Sequence, residues 1–351
     1  MPQNNLNSAT KNVIGWDVGG AHLKAALLDQ NGAAQQVLQV ACPLWRGLDW
    51  LEAAIDEVLS QIRSASNYHA ITMTGELVDL FENRPAGVMA IAQLMHQKLQ
   101  GKAQFYAGTQ GFVSSHQVAA NANLIASANW LASANFVAKK VPNALFVDVG
   151  STSSDFVAIS NGEVIVQGFS DAERMRSDAL VYSGVVRTPV MALGQKVLFE
   201  GAYSNIAAEH FATTADVYRL TGDLLSEDDM AETADGAGKS QLESARRLAR
   251  MIGYDVEGAP FSAWQSLAQA FKAMQLQRLG EAVGHMSQGS LDSLVGAGAG
   301  KFLVAALAEK MDRPFIDVID LIQSASTQQK HWAGVCFPAY AVAYLALEQL
   351  H

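Results

Sequence analysis

Cysteine is nearly absent: the 351-residue chain carries two, Cys42 and Cys336. Neither has a second cysteine or a histidine at ligand spacing, which argues against a disulfide framework and a structural zinc site and fits a reducing cytoplasm. Basic residues are also scarce, 24 Lys and Arg against 34 Asp and Glu, for a formal net charge of −10. Broad recognition of nucleic acid or of an acidic membrane needs clustered cations, so neither is expected as a partner, and any anion must be gripped locally. No apolar run reaches the length of a bilayer span. The opening MPQNNLNSATKN is polar and reads as a frayed tail, neither signal peptide nor anchor. What the chain does hold is apolar material. Half its residues are hydrophobic, 17% are charged and mean hydropathy is +0.09, enough for large cores in two domains.

One pattern occurs twice. VIGWDVGGAHLKAALLDQNG begins at Val13, and ALFVDVGSTSSDFVAISNG begins at Ala144. Each has a β-favouring run ending in Asp-Val-Gly, a turn of small residues, and a charged residue seven positions past the Asp: Lys24 after Asp17, Asp155 after Asp148. An apolar run and an Asn-Gly hairpin signal follow in both. Each copy therefore predicts three antiparallel strands with a glycine turn between the first two. Beyond the first triplet, the spacing predicts a helix over 51–62, a strand over 70–73, a helix over 85–99, a strand at Phe105 and a small-residue-rich helical stretch over 117–139. Three hairpin strands followed by helix, strand, helix, strand describe a ribonuclease H-like lobe. The second triplet is followed by a helical insertion over 243–251 and 261–286, a strand over 290–295, the loop GAGAGK and a helix over 302–310. The expected fold is α/β, with two ribonuclease H-like lobes of the actin-like ATPase plan and a cleft between them. The boundaries are 1–142, with the closing helix 338–351 completing the first lobe, and 143–337.

Glycine- and hydroxyl-rich turns between antiparallel strands aim successive N–H groups at one point, a concavity suited to phosphate oxygens. Gly19 and Gly20 form one such turn, with His22 inside the same segment; Gly150, Ser151, Thr152 and Ser153 form the other. Asp17 and Asp148 would repel a phosphate unless a divalent cation, Mg2+, bridged them, directly or through water. Lys24 can neutralise a further oxygen. The loop of Gly296, Gly298, Gly300 and Lys301 opens a helix, where free N–H groups and the dipole favour an anion. It matches neither GxGxxG nor a Walker loop, so tight strand–helix packing explains it equally well. Glu76 ends a strand, where a carboxylate would face a cleft. Arg187, Thr188 and Glu209 lie in polar-aromatic stretches open to substrate, although a solvated loop accounts for them nearly as well.

GWDVGGAHLKAA, CPLWRGLDWLEAAI, HAITMTGELVDLFENRPAGV, YSGVVRTPVMAL and EHFATTADVYRLTGDL together resemble the hydantoinase/oxoprolinase-related proteins of tetrahydromethanopterin-linked one-carbon metabolism. In archaea these include the aryl-ether synthases of methanofuran biosynthesis. The resemblance spans Ile14 to Leu350. It implies a transferase that joins an aminomethyl-furanmethyl diphosphate to the phenol of gamma-glutamyltyramine, or a tyrosine-like acceptor, and releases diphosphate. On that reading Asp17, Asp148 and Lys24 stabilise the leaving group, and Glu76 or Asp155 removes the phenolic proton. His22 stands where many actin-like kinases carry Thr or Ser, a departure from ordinary ATP-dependent phosphotransfer. Two other readings stay open: a small-molecule kinase or hydantoinase-like hydrolase that uses ATP in the same loops, and a non-enzymatic actin-like nucleotide switch. The oligomeric state, homo-oligomer included, is left open by the sequence.

Overall fold

The computed structural model describes residues 12–62, 68–226, 228–287 and 292–350; the polar segment 1–11 lies outside them. In chain order the elements are β1 (Val13–Val18), β2 (His22–Leu28), β3 (Ala34–Ala41), α1 (Leu48–Gln61), β4 (Tyr68–Met73), α2 (Arg84–Lys98), β5 (Ala103–Tyr106), β6 (Phe112–Ser114), α3 (Val118–Ile125) and α4 (Asn129–Ala138). The second repeat supplies β7 (Ala144–Val149), β8 (Ser154–Ser160), β9 (Glu163–Ile165), α5 (Asp171–Arg176), β10 (Leu180–Val181), β11 (Lys196–Phe199) and β12 (Ala202–Asn205). Then come α6 (Thr214–Thr221), α7 (Gln241–Met251), α8 (Phe261–Met286), β13 (Leu294–Ala297), α9 (Lys301–Lys310), β14 (Phe315–Asp317), α10 (Thr327–Val335) and α11 (Phe337–Gln349).

Two sheets result, ordered β3-β2-β1-β4-β5-β6 and β10-β8-β7-β13-β14, with β9 also paired to β8. In both, the founding hairpin is antiparallel while the next strands join in parallel, β1 to β4 and β7 to β13. A parallel partner cannot follow a tight turn, so each junction requires a crossover through helix. The repeat is therefore structural: each triplet opens a sheet of the same connectivity, and this is the ribonuclease H-like lobe twice over. Asn161 (φ 54°) and Gly162 (φ 78°) close the β8–β9 hairpin with two left-handed residues, as an Asn-Gly turn of this twist requires.

The chain divides into two compact units, residues up to Lys140 with Ile319 onward, and Val141–Val318. The first unit regains the chain at Ile319 and not at the closing helix alone, because α10 is fastened to β3. The Val37 N–H donates to Gln329 Oε1 at 2.6 Å, and Ala34 N–H to the Gln323 carbonyl at 2.9 Å. Inside this unit the apolar faces of α1 and α2, Leu51, Ile55, Val58, Val88 and Ile91, pack with Ile14, Trp16 and Val18 on one face of the sheet. On the other face α11 lies so close to β1 that a Cβ on Gly15 would sit 2.0 Å from the Ala339 carbonyl oxygen and 2.7 Å from the Ala343 Cβ. Phe136 of α4 holds α11 edge-on through Phe337, Tyr340 and Tyr344 at 5.5, 5.4 and 4.9 Å.

The second unit buries α6 to α9 against β7 and β8. A buried ion-pair network closes its insertion: Asp216 of α6 meets Arg247 of α7 and Arg219, each at 2.8 Å, and Arg219 binds Asp229 at 2.6 Å. Both cysteines are buried thiols outside any disulfide, and Cys336 Sγ lies 3.9 Å from Gln39 Oε1. Among the described residues no helix is long and apolar enough to cross a membrane.

The helical stretch expected over 117–139 divides into α3 and α4, because Ser127 adopts φ 51° between them. The strand expected over 290–295 is seen as Leu294–Ala297, and the first part of that expectation, 290–291, lies outside the described residues. Replacing Gly15 by Ala is expected to destabilise the first unit by about 3 kcal/mol through overpacking against α11, read as a lower urea midpoint with the slope unchanged.

Candidate functional site

The first turn joins β1 to β2. Gly19 N–H donates to the His22 carbonyl at 3.0 Å and closes the hairpin, while among the described residues the N–H groups of Gly20 and Ala21 have no acceptor. Their carbonyls are used: Leu44 N–H donates to Gly20 O at 3.0 Å and Cys42 N–H to Ala21 O at 2.8 Å. The donors therefore stay open while the acceptors are tied down. Beneath the turn, the pleat sets Asp17, Lys24 and Thr72 in one register row across β1, β2 and β4. Lys24 Nζ lies 3.4 Å from Asp17 Oδ2. Asp17 Oδ1 and Thr72 Oγ1 are buried with no hydrogen-bond partner among the described residues. Burial pushes the Asp17 carboxyl above its ordinary value of 3.8, only partly offset by the attraction and hydrogen bond of Lys24.

Glu76 follows β4 in a short 3-10 turn and is buried. Ser127 Oγ donates to its Oε1 at 2.8 Å. The strained backbone of Ser127 thus has a specific task, fixing that carboxylate, and such strain tends to persist at functional positions. Neither Ser127 nor Thr72 was anticipated. Thr72 was discoverable as a polar side chain between apolar Ile71 and Met73 in the strand just before Glu76; Ser127 was not, because its value lies in a φ angle inside what reads as helical sequence.

The second turn joins β7 to β8. Gly150 N–H donates to the Ser153 carbonyl at 2.9 Å, whereas the N–H groups of Ser151, Thr152 and Ser153 have no acceptor among the described residues. A strap from residues 183–188 braces it. The Ser151 carbonyl accepts from the N–H groups of Val186 at 3.0 Å and Arg187 at 2.9 Å, and Gly150 O from Val185 N–H at 3.0 Å. Any Cβ on Gly184 would lie 2.5 Å from Ser151 and Thr152 backbone atoms, so only glycine permits that approach. Gln275, buried in mid-α8, donates to Ser183 Oγ at 3.0 Å and to Gly184 O at 2.9 Å, and accepts from the Tyr218 hydroxyl. The helical insertion therefore backs the turn.

The third loop reaches the same strand end. Gly298 (φ 77°) lies so close that its Cβ would meet Asp148 Oδ1 and Val149 O at 2.4 Å, and Gly300 N–H donates to Val149 O at 2.8 Å. The N–H groups of Gly298 and Ala299 remain without acceptors among the described residues. Gly296 ends in β13 and abuts Phe315, a packing role. Lys301 is ion-paired with Asp317 at 2.7 Å. The second unit thus gathers Asp148, the 150–153 turn and the 298–299 loop at one sheet end.

The remaining expected residues sort by geometry. Arg187 is exposed, its backbone pinned to the second turn. Thr188 is buried; its hydroxyl accepts from Gly184 N–H at 2.8 Å and so serves the strap. Glu209 is exposed in the loop that runs back alongside that strap through the Pro189–Thr213 bridge. Asp155 sits opposite Asp148 in the hairpin and is ion-paired with buried Arg174 at 2.8 Å. Burial raises its pKa; Arg174 opposes the rise and Asp171 adds to it. No cluster of three or more ligating His, Cys, Asp or Glu occurs among the described residues. An ion caged by protein alone does not fit; one held by a single buried carboxylate oxygen, water and substrate oxygens, the habit of Mg2+, does.

Asp17 carries a pH signature. Its raised pKa means that the folded state holds the proton more tightly than the unfolded chain, so stability falls as pH rises through the interval from the unfolded to the folded pKa. Asp17→Asn is therefore expected to raise the thermal midpoint at about pH 7, an advantage that fades toward about pH 4 as the wild-type carboxyl becomes protonated. Thermal scans across that range check both the sign and the fading.

The chain matches the family model described as hydantoinase/oxoprolinase over residues 67–331. It is 28% identical over 340 residues, 96% of this chain and 98% of the relative, to the (4-{4-[2-(gamma-L-glutamylamino)ethyl]phenoxymethyl}furan-2-yl)methanamine synthase of Methanocaldococcus jannaschii. The synthase of the same name from Methanococcus vannielii is 30% identical over 114 residues, 32% of this chain and about half, 51%, of that protein. Among solved structures, a nucleotide-free acetone carboxylase aligns with TM-score 0.54 at 11% identity over 95% of this chain and 70% of that one, a likeness of fold alone.

Proposed function

The chain belongs to the hydantoinase/oxoprolinase family, and from that membership and the full-length similarity to a furanmethanamine synthase we propose that it is a transferase forming an aryl ether between a furanmethyl group and a phenol. The product named for the relative contains a phenoxymethyl group on a furan, so its synthesis must create a bond between a phenolic oxygen and a furanmethyl carbon. A diphosphate on that carbon is the fitting leaving group. The carbon–oxygen bond breaks with its electron pair going to diphosphate, the phenol oxygen bonds to carbon, and the phenolic proton passes to a base.

The observation that carries this reading is found in each unit by itself: open N–H groups at Gly20 and Ala21 in the first, and at Ser151 to Ser153 with Gly298 and Ala299 gathered at one sheet end in the second. They are preorganised donors for the charge that develops on a departing phosphate. Arg187 offers an exposed cation at the second turn, and Lys24 offers another beneath the first, shared with Asp17. Mg2+ bound through Asp17 or Asp148 would supply further neutralisation of the leaving group. Of the two carboxylates weighed as base, Glu76 is favoured, since Asp155 is committed to Arg174; Ser127 keeps Glu76 oriented.

The direct test incubates the protein with a furanmethyl diphosphate, a tyramine-type phenol and Mg2+, with mass detection of the ether beside an ATP hydrolysis assay. Ether and diphosphate in equal amounts are expected. ATP turnover without ether would replace this reading by the kinase or hydrolase one. Arg187→Ala is expected to raise KM for the diphosphate about tenfold, one charge-assisted contact, and to leave KM for the phenol unchanged. Chelation of divalent ions is expected to abolish ether formation without unfolding the protein, with circular dichroism as the control.

A further inference from the structure

We propose that Asp17, of the two repeat aspartates, is the one that holds the divalent ion, and that Thr72 is its positioning residue: the Thr72 hydroxyl accepts a hydrogen bond from a water of an ion bound at Asp17 Oδ1. The inference rests on the function proposed above and narrows it, since that reading leaves the ion to either aspartate. Thr72 stands directly opposite Asp17 in the parallel β1–β4 pairing, so both side chains leave the same face of the sheet, on strands about 4.8 Å apart. The pairing is fixed beyond them as well, where Thr74 N–H donates to the Val18 carbonyl at 2.9 Å. Lys24, opposite Asp17 on β2, lies 3.4 Å from Oδ2. Oδ1 is left over. It and Thr72 Oγ1 are both buried with no hydrogen-bond partner among the described residues.

Two such oxygens side by side need a reason, because nearly every buried polar atom is paired. The fold does not supply it. In the second unit the residue opposite Asp148 on the matching parallel strand is Ala297, buried and apolar. The same connectivity is therefore built with no hydroxyl at this position, and a β-branched valine would suit β4 without the cost of an unpaired group. The two oxygens do not satisfy each other either, although a hydroxyl can donate to a carboxylate. What fits is a shared partner that is ligated by the carboxylate and donates to the hydroxyl. A hydrated divalent cation does both, since Mg2+ keeps several of its waters and those waters donate to neighbouring oxygens. An anion does not fit beside the carboxylate. Asp148 stands in a different setting: Gly298 comes so near that a Cβ on it would lie 2.4 Å from Asp148 Oδ1.

The experiment compares the wild-type protein with Thr72→Val, Thr72→Ser and Asp17→Asn, using Mn2+ alone as a paramagnetic probe of the ion site, thermal scans in metal-free buffer, and the Mg2+ dependence of ether formation. Thr72→Val is expected to weaken Mn2+ binding about tenfold, the usual cost of losing an outer partner of a metal site, and to raise the half-saturating Mg2+ concentration by a similar factor. In metal-free buffer the same variant is expected to melt higher than wild type, because an unpaired buried hydroxyl has been removed. Thr72→Ser keeps the hydroxyl and is expected to bind Mn2+ close to wild type, whereas Asp17→Asn is expected to lose the site. Unchanged Mn2+ affinity in Thr72→Val, with binding lost in Asp17→Asn, would overturn the role of Thr72 and leave the metal reading standing. Binding that survives Asp17→Asn, or a wild-type protein that binds no Mn2+, would overturn the site. The expected binding pattern in a protein that makes no ether would overturn the function and leave the site intact.

Discussion

The structure depends on holding short glycine turns open. A peptide N–H left without an acceptor is costly away from water, and nearly every such group in a folded chain is paired. Here Gly20, Ala21, Ser151, Thr152, Ser153, Gly298 and Ala299 keep theirs free of protein acceptors among the described residues, while the carbonyls of Gly20, Ala21, Gly150 and Ser151 are each tied down by a neighbouring strap. Satisfying the acceptors and sparing the donors leaves each turn with N–H groups available to solvent or to a bound anion. Under the proposed reaction such donors need not reorient when phosphate charge develops.

Much of the surrounding architecture maintains that condition. In the second unit the strap 183–188 rests on Gln275 of α8 and on Tyr218 of α6, so the insertion supports the turn as well as enlarging the core. The Asp216–Arg247 pair then joins α6 to α7. In the first unit, α11 packs against Gly15 of β1, the strand that carries Asp17. Asp17 itself is a compromise. Its carboxylate is buried with Oδ1 unpartnered among the described residues, which costs stability, and the proposed role in holding Mg2+ would account for that cost.

The duplicated DVG segments, their Asn-Gly hairpins and the alternation that follows made the doubled sheet order legible from residues alone, because strand period, turn chemistry and repeat all act locally. Of the candidate site, the hairpin positions were legible: Asp17 lies opposite Lys24, and both glycine turns join antiparallel strands, as the repeat implied. Other residues changed meaning in three dimensions. Thr188 proved to be a brace and Lys301 an ion-pair partner; Asp155 was claimed by Arg174, nineteen positions away in sequence, and no local pattern announces such a pairing.

By itself the sequence determined the element types, the repeat, the glycine turns and the family, since these depend on neighbours a few residues apart. Tertiary structure alone decided which donors stay open, that Ser127 interrupts the helical stretch to hold Glu76, and that Gly184 and Gly298 must lack a Cβ. Each of those facts depends on atoms that the chain brings together from distant positions, and the packing that unites them leaves no periodic trace in the sequence.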